Sequence, residues 1–198
     1  MPASGPRRWG WHRLDRAWAA RIVAAAGVPP GDLVLDVGAG DGSLTELLVA
    51  AGARVVAIEL HPQRARMLRE RFCDGPVRVV AADAADLWLP RRPFRVVANP
   101  PFGVSMALLR RLTAPGSRLL AADIVLPRHI ARQWCGGDVH GAARWGPQFD
   151  LSLGMRVPAG AFRPPIERDV VVLRVRRSVD PGRDPRRRVR RRRGPPVF

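Results

Sequence analysis

The 198-residue sequence has no lysine and no tyrosine, so all 34 of its basic residues are arginine. Coding bias toward GC-rich codons accounts for both absences, and the first has chemical consequences. A P-loop lysine, a lysine Schiff base and a lysine general base are all excluded. Cysteine is nearly missing as well: Cys73 and Cys135 lie far apart and form neither a metal-ligand spacing nor a disulfide framework. No apolar run approaches the ~20 residues of a membrane-spanning helix. Met1 to Arg13 lacks an apolar core of signal-peptide length. A cytoplasmic protein with no membrane partner is expected, with a monomer as the default. Acidic residues are scarce, 17 against the 34 arginines, which leaves a formal net charge of +17. So large a basic excess points to a polyanion, most often nucleic acid, with a merely solubilising surface as the alternative. Residues 176–198 hold a net +8 of this charge, and residues 1–175 still carry +9.

The length suits one domain with a sizeable core. Leu33 to Val37, Arg54 to Ile58, Val77 to Ala81, Phe94 to Ala98 and Leu119 to Val125 are short apolar runs that read as buried strands. Helical spacing separates them: Leu44, Leu47, Leu48 and Ala51 before Gly52, then Pro62 to about Phe72, then Ser105 to Leu112. Repeated strand–helix units predict an α/β fold with a parallel sheet covered on both faces. Leu14, Trp18, Ile22 and Val23 predict an amphipathic helix ahead of the first strand, stopped by Gly27 and Pro29-Pro30. Residues 135–148 read as a loop. Phe149 to Val157 and Asp169 to Val175 read as two strands joined without a helix, an antiparallel pair closing the sheet edge. The expected division is a catalytic domain over 1–177 and an arginine-rich, disordered tail over 178–198.

The first strand runs into Asp36-Val37-Gly38-Ala39-Gly40-Asp41-Gly42-Ser43-Leu44-Thr45. Glycines there allow a sharp turn and a close approach to a ligand. Their G-x-G-x-G spacing differs from the G-x-G-x-x-G of dinucleotide binding. Glu59, 21 residues after Gly38, ends the second strand, where an acid accepts both ribose hydroxyls of an adenosine-bearing cofactor. The acidic Asp36 suits the cationic methionine end of S-adenosylmethionine better than it suits a phosphate. A nicotinamide or flavin enzyme is the competing reading, and no second nucleotide-binding unit supports it. Asp83, ending the third strand, is placed to accept from the cofactor's adenine amine. A helix or turn cap is the alternative for it.

The fourth strand ends in Asn99-Pro100-Pro101-Phe102. An adenine exocyclic amine is a poor nucleophile because its lone pair is delocalised into the ring. The Asn99 side-chain carbonyl and the Pro100 main-chain carbonyl could accept its two N–H bonds and turn the lone pair toward a methyl group. Two prolines keep that loop rigid, which serves positioning. Phe102 offers a face on which an extruded base can stack. An ordinary Asn-Pro turn at a strand end is the alternative.

With these motifs, and with Phe162-Arg163-Pro164-Pro165, the chain resembles the rRNA adenine N6-methyltransferases from about Trp9 to Val175, and more closely their erythromycin-resistance (Erm-type) branch. The resemblance implies a Rossmann-like class I S-adenosylmethionine-dependent methyltransferase, a seven-stranded sheet with an antiparallel last pair. It carries the catalytic roles onto Asn99, Pro100, Phe102 and Phe162, with Phe162 across the target adenine from Phe102. It carries cofactor contacts onto His12, Leu14, Asp36, Gly38, Gly40, Glu59, Leu60, Asp83, Ala84 and Asn99. It implies an adenine in the peptidyl-transferase loop of 23S rRNA, protein-free or partly assembled, whose methylation blocks macrolide, lincosamide and streptogramin B binding. The chain departs from the family at Gly10-Trp11-His12-Arg13-Leu14, where the family has Gly-Gln-Asn-Phe-Leu. His12 then replaces an Asn near the cofactor, or is a plain surface residue. Pro127-Arg128-His129 departs too, and the helical C-terminal domain of the family has no counterpart, as in short members of the branch. The other readings are a small-subunit rRNA adenine dimethylase, a DNA adenine methylase, a protein-glutamine methylase, and an RNA-binding factor that keeps the fold without catalysis.

Overall fold

The computed structural model describes residues 12–136 and 148–178. In chain order the elements are β1 (Arg13–Leu14), α1 (Arg16–Ala26), β2 (Leu33–Val37), α2 (Ser43–Ala50), β3 (Arg54–Ile58), α3 (Pro62–Arg71) and β4 (Val77–Val80). There follow β5 (Phe94–Ala98), α4 (Ser105–Leu112), β6 (Leu119–Pro127), α5 (Arg128–Gly136), β7 (Phe149–Val157), β8 (Phe162–Arg163) and β9 (Val170–Arg177). Seven strands form one sheet in the order β4-β3-β2-β5-β6-β9-β7. The first five are parallel, and β9 runs antiparallel to both β6 and β7. The expected antiparallel pair is therefore present, with β9 inserted beside β6 and β7 left at the edge.

Alternation along the strands explains the two-faced core. Leu33, Leu35 and Val37 of β2 join Val96, Leu108, Leu109, Leu112, Ile124 and Trp134 on the face covered by α4 and α5. Val34 joins Ile22, Leu44, Leu48, Val55, Val97 and Val125 on the face covered by α1 and α2. By the same alternation Asp36 points toward α2. Burying a Leu or Val side chain fully contributes about 1.5–3 kcal/mol, so clusters on both faces are what hold a central strand that is buried at all five positions.

The helix ends follow local chemistry. Pro62 occupies the first turn of α3, where its missing N–H costs no bond. Gly27 ends α1 in the left-handed region, with φ of 57°. Two features differ from the sequence expectation. Residues 128–136 form a helix, so the expected loop begins later, and its residues 137–147 lie outside the described part. Leu14 is not on the first helix but on β1. That two-residue strand pairs antiparallel with β8, matching Arg13 to Arg163 and Leu14 to Phe162. The arginine-rich tail from residue 179 onward also lies outside the described residues.

Candidate active site

The sheet order reverses direction at β2: β3 and β4 lie on one side, β5 and β6 on the other. Loops leaving the carboxyl ends of β2 and β5 diverge there, and such a switch point is where open α/β sheets bind ligands. The loop after β2 carries Gly38, and the loop after β5 carries Asn99-Pro100-Pro101. They touch. A Cβ on Gly38 would sit 3.0 Å from Pro101 Cδ and 3.1 Å from Pro100 Cα, and its φ of 76° is itself a glycine conformation. Glycine at 38 thus lets the Gly-rich loop rest directly on the Asn99-Pro100-Pro101-Phe102 loop.

The amides of the Gly-rich loop are spent inside the protein. Gly38 and Ala39 donate to Ile58 O at 2.8 and 3.0 Å, and Gly42 donates to Ala39 O at 2.9 Å. Gly40 donates to Glu59 Oε2 at 2.9 Å. The first amide of α2, Ser43 N–H, donates to Asp41 Oδ1 at 3.1 Å. A dinucleotide site would offer such amides to a pyrophosphate at the helix N-terminus. Here those donors are taken and an acid stands at that helix end. Three acids, Asp36, Glu59 and Asp83, lie near these loops instead. Asp36 is fully buried; its Oδ2 accepts from Thr45 Oγ1 at 2.6 Å, and its Oδ1 has no partner. Burial pushes its carboxyl up to about 7, with the Thr45 hydroxyl pulling the other way and the Glu59 charge adding to the rise. An unpartnered, buried carboxyl oxygen can meet a cation or a donor, which the methionine end of S-adenosylmethionine could supply.

Glu59 is 5% exposed and bridges two loops, accepting from Gly40 N–H and from His61 N–H at 2.8 Å, with Arg64 Nη1 3.8 Å from Oε1. Each oxygen keeps a second lone pair, so two further donors can be accepted. Leu60 beside it is 45% exposed, an apolar side chain left open at this edge. Asp83 caps the 3-10 turn Ala84–Asp86, its Oδ1 accepting from Ala85 N–H at 2.8 Å, and Ala84 is buried. The cap reading of Asp83 thus holds for one of its oxygens. Asp36 lies near the end of β2, Glu59 directly follows β3 and Asp83 stands three residues beyond β4, so three acids lie at the carboxyl ends of adjacent strands, a charge suited to a cationic, hydroxyl-rich ligand and unsuited to a pyrophosphate.

At the catalytic loop, Asn99 Nδ2 donates to the main-chain carbonyl of His12 at 2.9 Å. The His12 ring lies stacked on Phe102, with centroids 6.1 Å apart and planes at 20°, and its Nδ1 is 3.2 Å from Pro164 O. His12 therefore bridges Asn99, Phe102 and the Phe162-Arg163-Pro164-Pro165 segment, a role the sequence does not announce. Phe102 is half-buried, in a 3-10 turn leading into α4. Phe162 is 0% exposed and packed in the core with Leu14, so in this state it presents no open face. Thr45 and Asp41 stand in the Gly-rich motif without a role assigned from sequence; the structure makes one the partner of Asp36 and the other the acceptor for the first amide of α2, whose N-cap is Gly42. Glu46 accepts from Arg16 and Arg71, and Arg71 also donates to Asp41 O at 2.7 Å, tying α1, α2 and α3 around the Gly-rich loop.

The model of the ribosomal RNA adenine dimethylase family matches residues 13–186. A ribosomal RNA small subunit methyltransferase A from Synechococcus sp. (strain JA-3-3Ab) is 34% identical, over 91% of this chain and 71% of its own length. The mycinamicin-resistance protein MyrB of Micromonospora griseorubida is 36% identical, over 87% of this chain and 56% of its own. This chain thus spans little more than half of some curated relatives. Among solved structures, the 23S rRNA methyltransferase ErmE superposes with a TM-score of 0.76 at 30% identity, covering 86% of this chain and 71% of ErmE. A dimethyladenosine transferase from Plasmodium falciparum shares the fold, with a TM-score of 0.71 at 21% identity.

Proposed function

This chain belongs to the ribosomal RNA adenine dimethylase family, whose members use S-adenosylmethionine, and from that premise we propose that it methylates the exocyclic amine of an adenine in 23S rRNA, the modification that confers macrolide, lincosamide and streptogramin B resistance. S-adenosylmethionine supplies the electrophilic methyl group when bound. Asp36, Gly38, Gly40, Glu59, Leu60, Asp83 and Ala84 would hold it, with His12, Leu14 and Asn99 closing the methyl end.

One observation carries the chemistry. The Asn99 amide nitrogen is committed to the His12 carbonyl, so Oδ1 is the end left to accept from a substrate amine. The Pro100 main-chain carbonyl is the second acceptor. Two acceptors on a proline-stiffened loop draw the amine toward tetrahedral geometry and aim its lone pair, which is catalysis by positioning. Phe102 stacks on the extruded base. Phe162, assigned to the base's other side, must first turn out of its packed position. The choice of 23S rRNA is supported by the resistance-protein relative and by the likeness to ErmE. The greater coverage of the small-subunit methyltransferase relative favours small-subunit rRNA as the second reading. Labelled methyl transfer separates them: naked 23S rRNA should accept at a single adenine, with mature ribosomes poor acceptors and expressing cells tolerant of macrolides. Transfer into small-subunit rRNA alone, or into duplex DNA, overturns the assignment.

A further inference from the structure

At the opposite end of the sheet from the catalytic loop, a cavity of about 470 Å³ opens between the first residues of β2, β3 and β4. Three arginines line it: Arg54 at the start of β3, Arg78 on the edge strand β4, and Arg92 before β5. Leu33, Val55, Pro76 and Pro90 form its apolar wall, and no acid is among its lining residues. All three arginines are exposed, and none pairs with a carboxylate among the described residues. The nearby Asp32 is already held by Arg95 at 2.6 Å. Two residues before Pro90, Trp88 is 90% exposed, projected outward between the buried Leu87 and the partly buried Leu89. The Leu87 carbonyl is fixed by Arg111 Nε.

We propose that this cavity and Trp88 form a second RNA-binding site, in which Arg54, Arg78 and Arg92 grip backbone phosphates and Trp88 stacks on an unpaired base. Guanidinium groups with no carboxylate of their own are suited to bidentate phosphate contacts. The exposed indole of Trp88, two residues along the chain from the lining Pro90, supplies the sequence-tolerant stacking that single-stranded RNA offers. The site lies about 16 Å from the catalytic end, the length of five residues of strand at ~3.3 Å each. An RNA reaches both only if it extends about 16 Å from the target base, roughly five base pairs of stem at ~3.4 Å each, so a hairpin with a stem shorter than that does not. The inference rests on the rRNA reading above and assigns to that substrate a contact outside the active site.

Equilibrium binding of two transcripts tests it, one spanning the peptidyl-transferase domain and one a short hairpin with only the target loop. Arg54→Gln/Arg78→Gln/Arg92→Gln should weaken the long transcript roughly tenfold or more. Its log–log salt slope should fall by about 2–3, since each phosphate no longer neutralised accounts for about 0.7–0.9. Affinity for the hairpin and for S-adenosylmethionine should stay unchanged. Trp88→Ala should weaken the long transcript, and Trp88→Phe should restore it. An unaltered slope and affinity in the triple variant overturn the proposal and leave these side chains as solvated charge. Inorganic pyrophosphate, titrated by calorimetry, is the remaining arm. If it binds the wild type and not the triple variant while RNA binding is untouched, the cavity takes free phosphates and the proposal fails. Binding needs no turnover, so failure of methyl transfer on 23S rRNA would be read separately.

Discussion

Asn99 and Asp36 are both polar side chains held on one side only, and each has a testable consequence. Asn99→Ala removes the proposed acceptor for the substrate amine and only one contact at the cofactor's methyl end, so turnover should be lost while S-adenosylmethionine affinity falls far less. His12 anchors Asn99 through its main-chain carbonyl. His12→Ala therefore keeps that bond and loses only the ring contacts with Phe102 and Pro164. It should lower kcat less than Asn99→Ala does; equal losses would show that the ring itself acts in the chemistry. For Asp36 the sign follows from a folded-state carboxyl near 7 against an ordinary value of about 3.9. Between those values the folded state holds more protons than the unfolded one, so stability falls as pH rises through about 4 to 7. A cation bound beside Asp36 favours its charged form, so cofactor affinity should tighten as pH rises toward 8. Asp36→Asn should flatten both profiles, read by thermal unfolding and calorimetry from pH 5 to 8. Profiles parallel to wild type would remove Asp36 from the cofactor's cationic end.

Among the elements, β1 and β8 form a two-residue clip that holds Arg13 and Leu14 against the Phe162 segment and brings His12 to Asn99 and Phe102. Its energy resides in burial: Leu14 is 4% exposed and Phe162 0%. Phe162→Ala should cost about 3–5 kcal/mol of stability, measured by urea unfolding, and Phe162→Leu should recover much of it. Activity lost in Phe162→Ala but kept in Phe162→Leu would then report packing rather than stacking on the substrate. Neither strand is legible in the sequence, because two residues carry no period. The helix α5 escapes for a related reason. In Arg128–Gly136 only Ala131 and Trp134 are buried, too sparse a pattern to stand out from a loop. By contrast β2, β3 and β5 are readable to the residue, since parallel strands buried on both faces are unbroken apolar runs. The Gly-rich loop, Glu59 and Asn99 are readable too, because spacing places them at strand ends. What no local pattern holds is long-range partnership. The insertion of β9 beside β6, the Asn99–His12 bond across 87 residues and the meeting of Arg54, Arg78 and Arg92 are products of the folded chain.

Over the whole molecule, charge is distributed so that binding should depend steeply on salt. The chain has a formal net charge of +17, of which residues 1–175 carry +9. Asp36, Glu59 and Asp83 put negative charge at the carboxyl ends of β2, β3 and β4, so a polyanion is better gripped elsewhere on the surface. Seven arginines between residues 186 and 193 add a dense run of guanidinium groups on a segment nearly without apolar residues. If that run holds phosphates, truncation after Arg177 should weaken RNA binding and lower the log–log salt slope by about 0.7–0.9 for each phosphate released, with S-adenosylmethionine affinity unchanged. Combining the truncation with Arg54→Gln/Arg78→Gln/Arg92→Gln tests whether the two groups grip different phosphates. Independent grips give slope changes that add, as distant sites do in free energy. A combined change no larger than that of the truncation alone would mean that the tail and the far-end arginines compete for one stretch of backbone. An unaltered slope after truncation would show the tail to be a solvated run that takes no part in holding RNA.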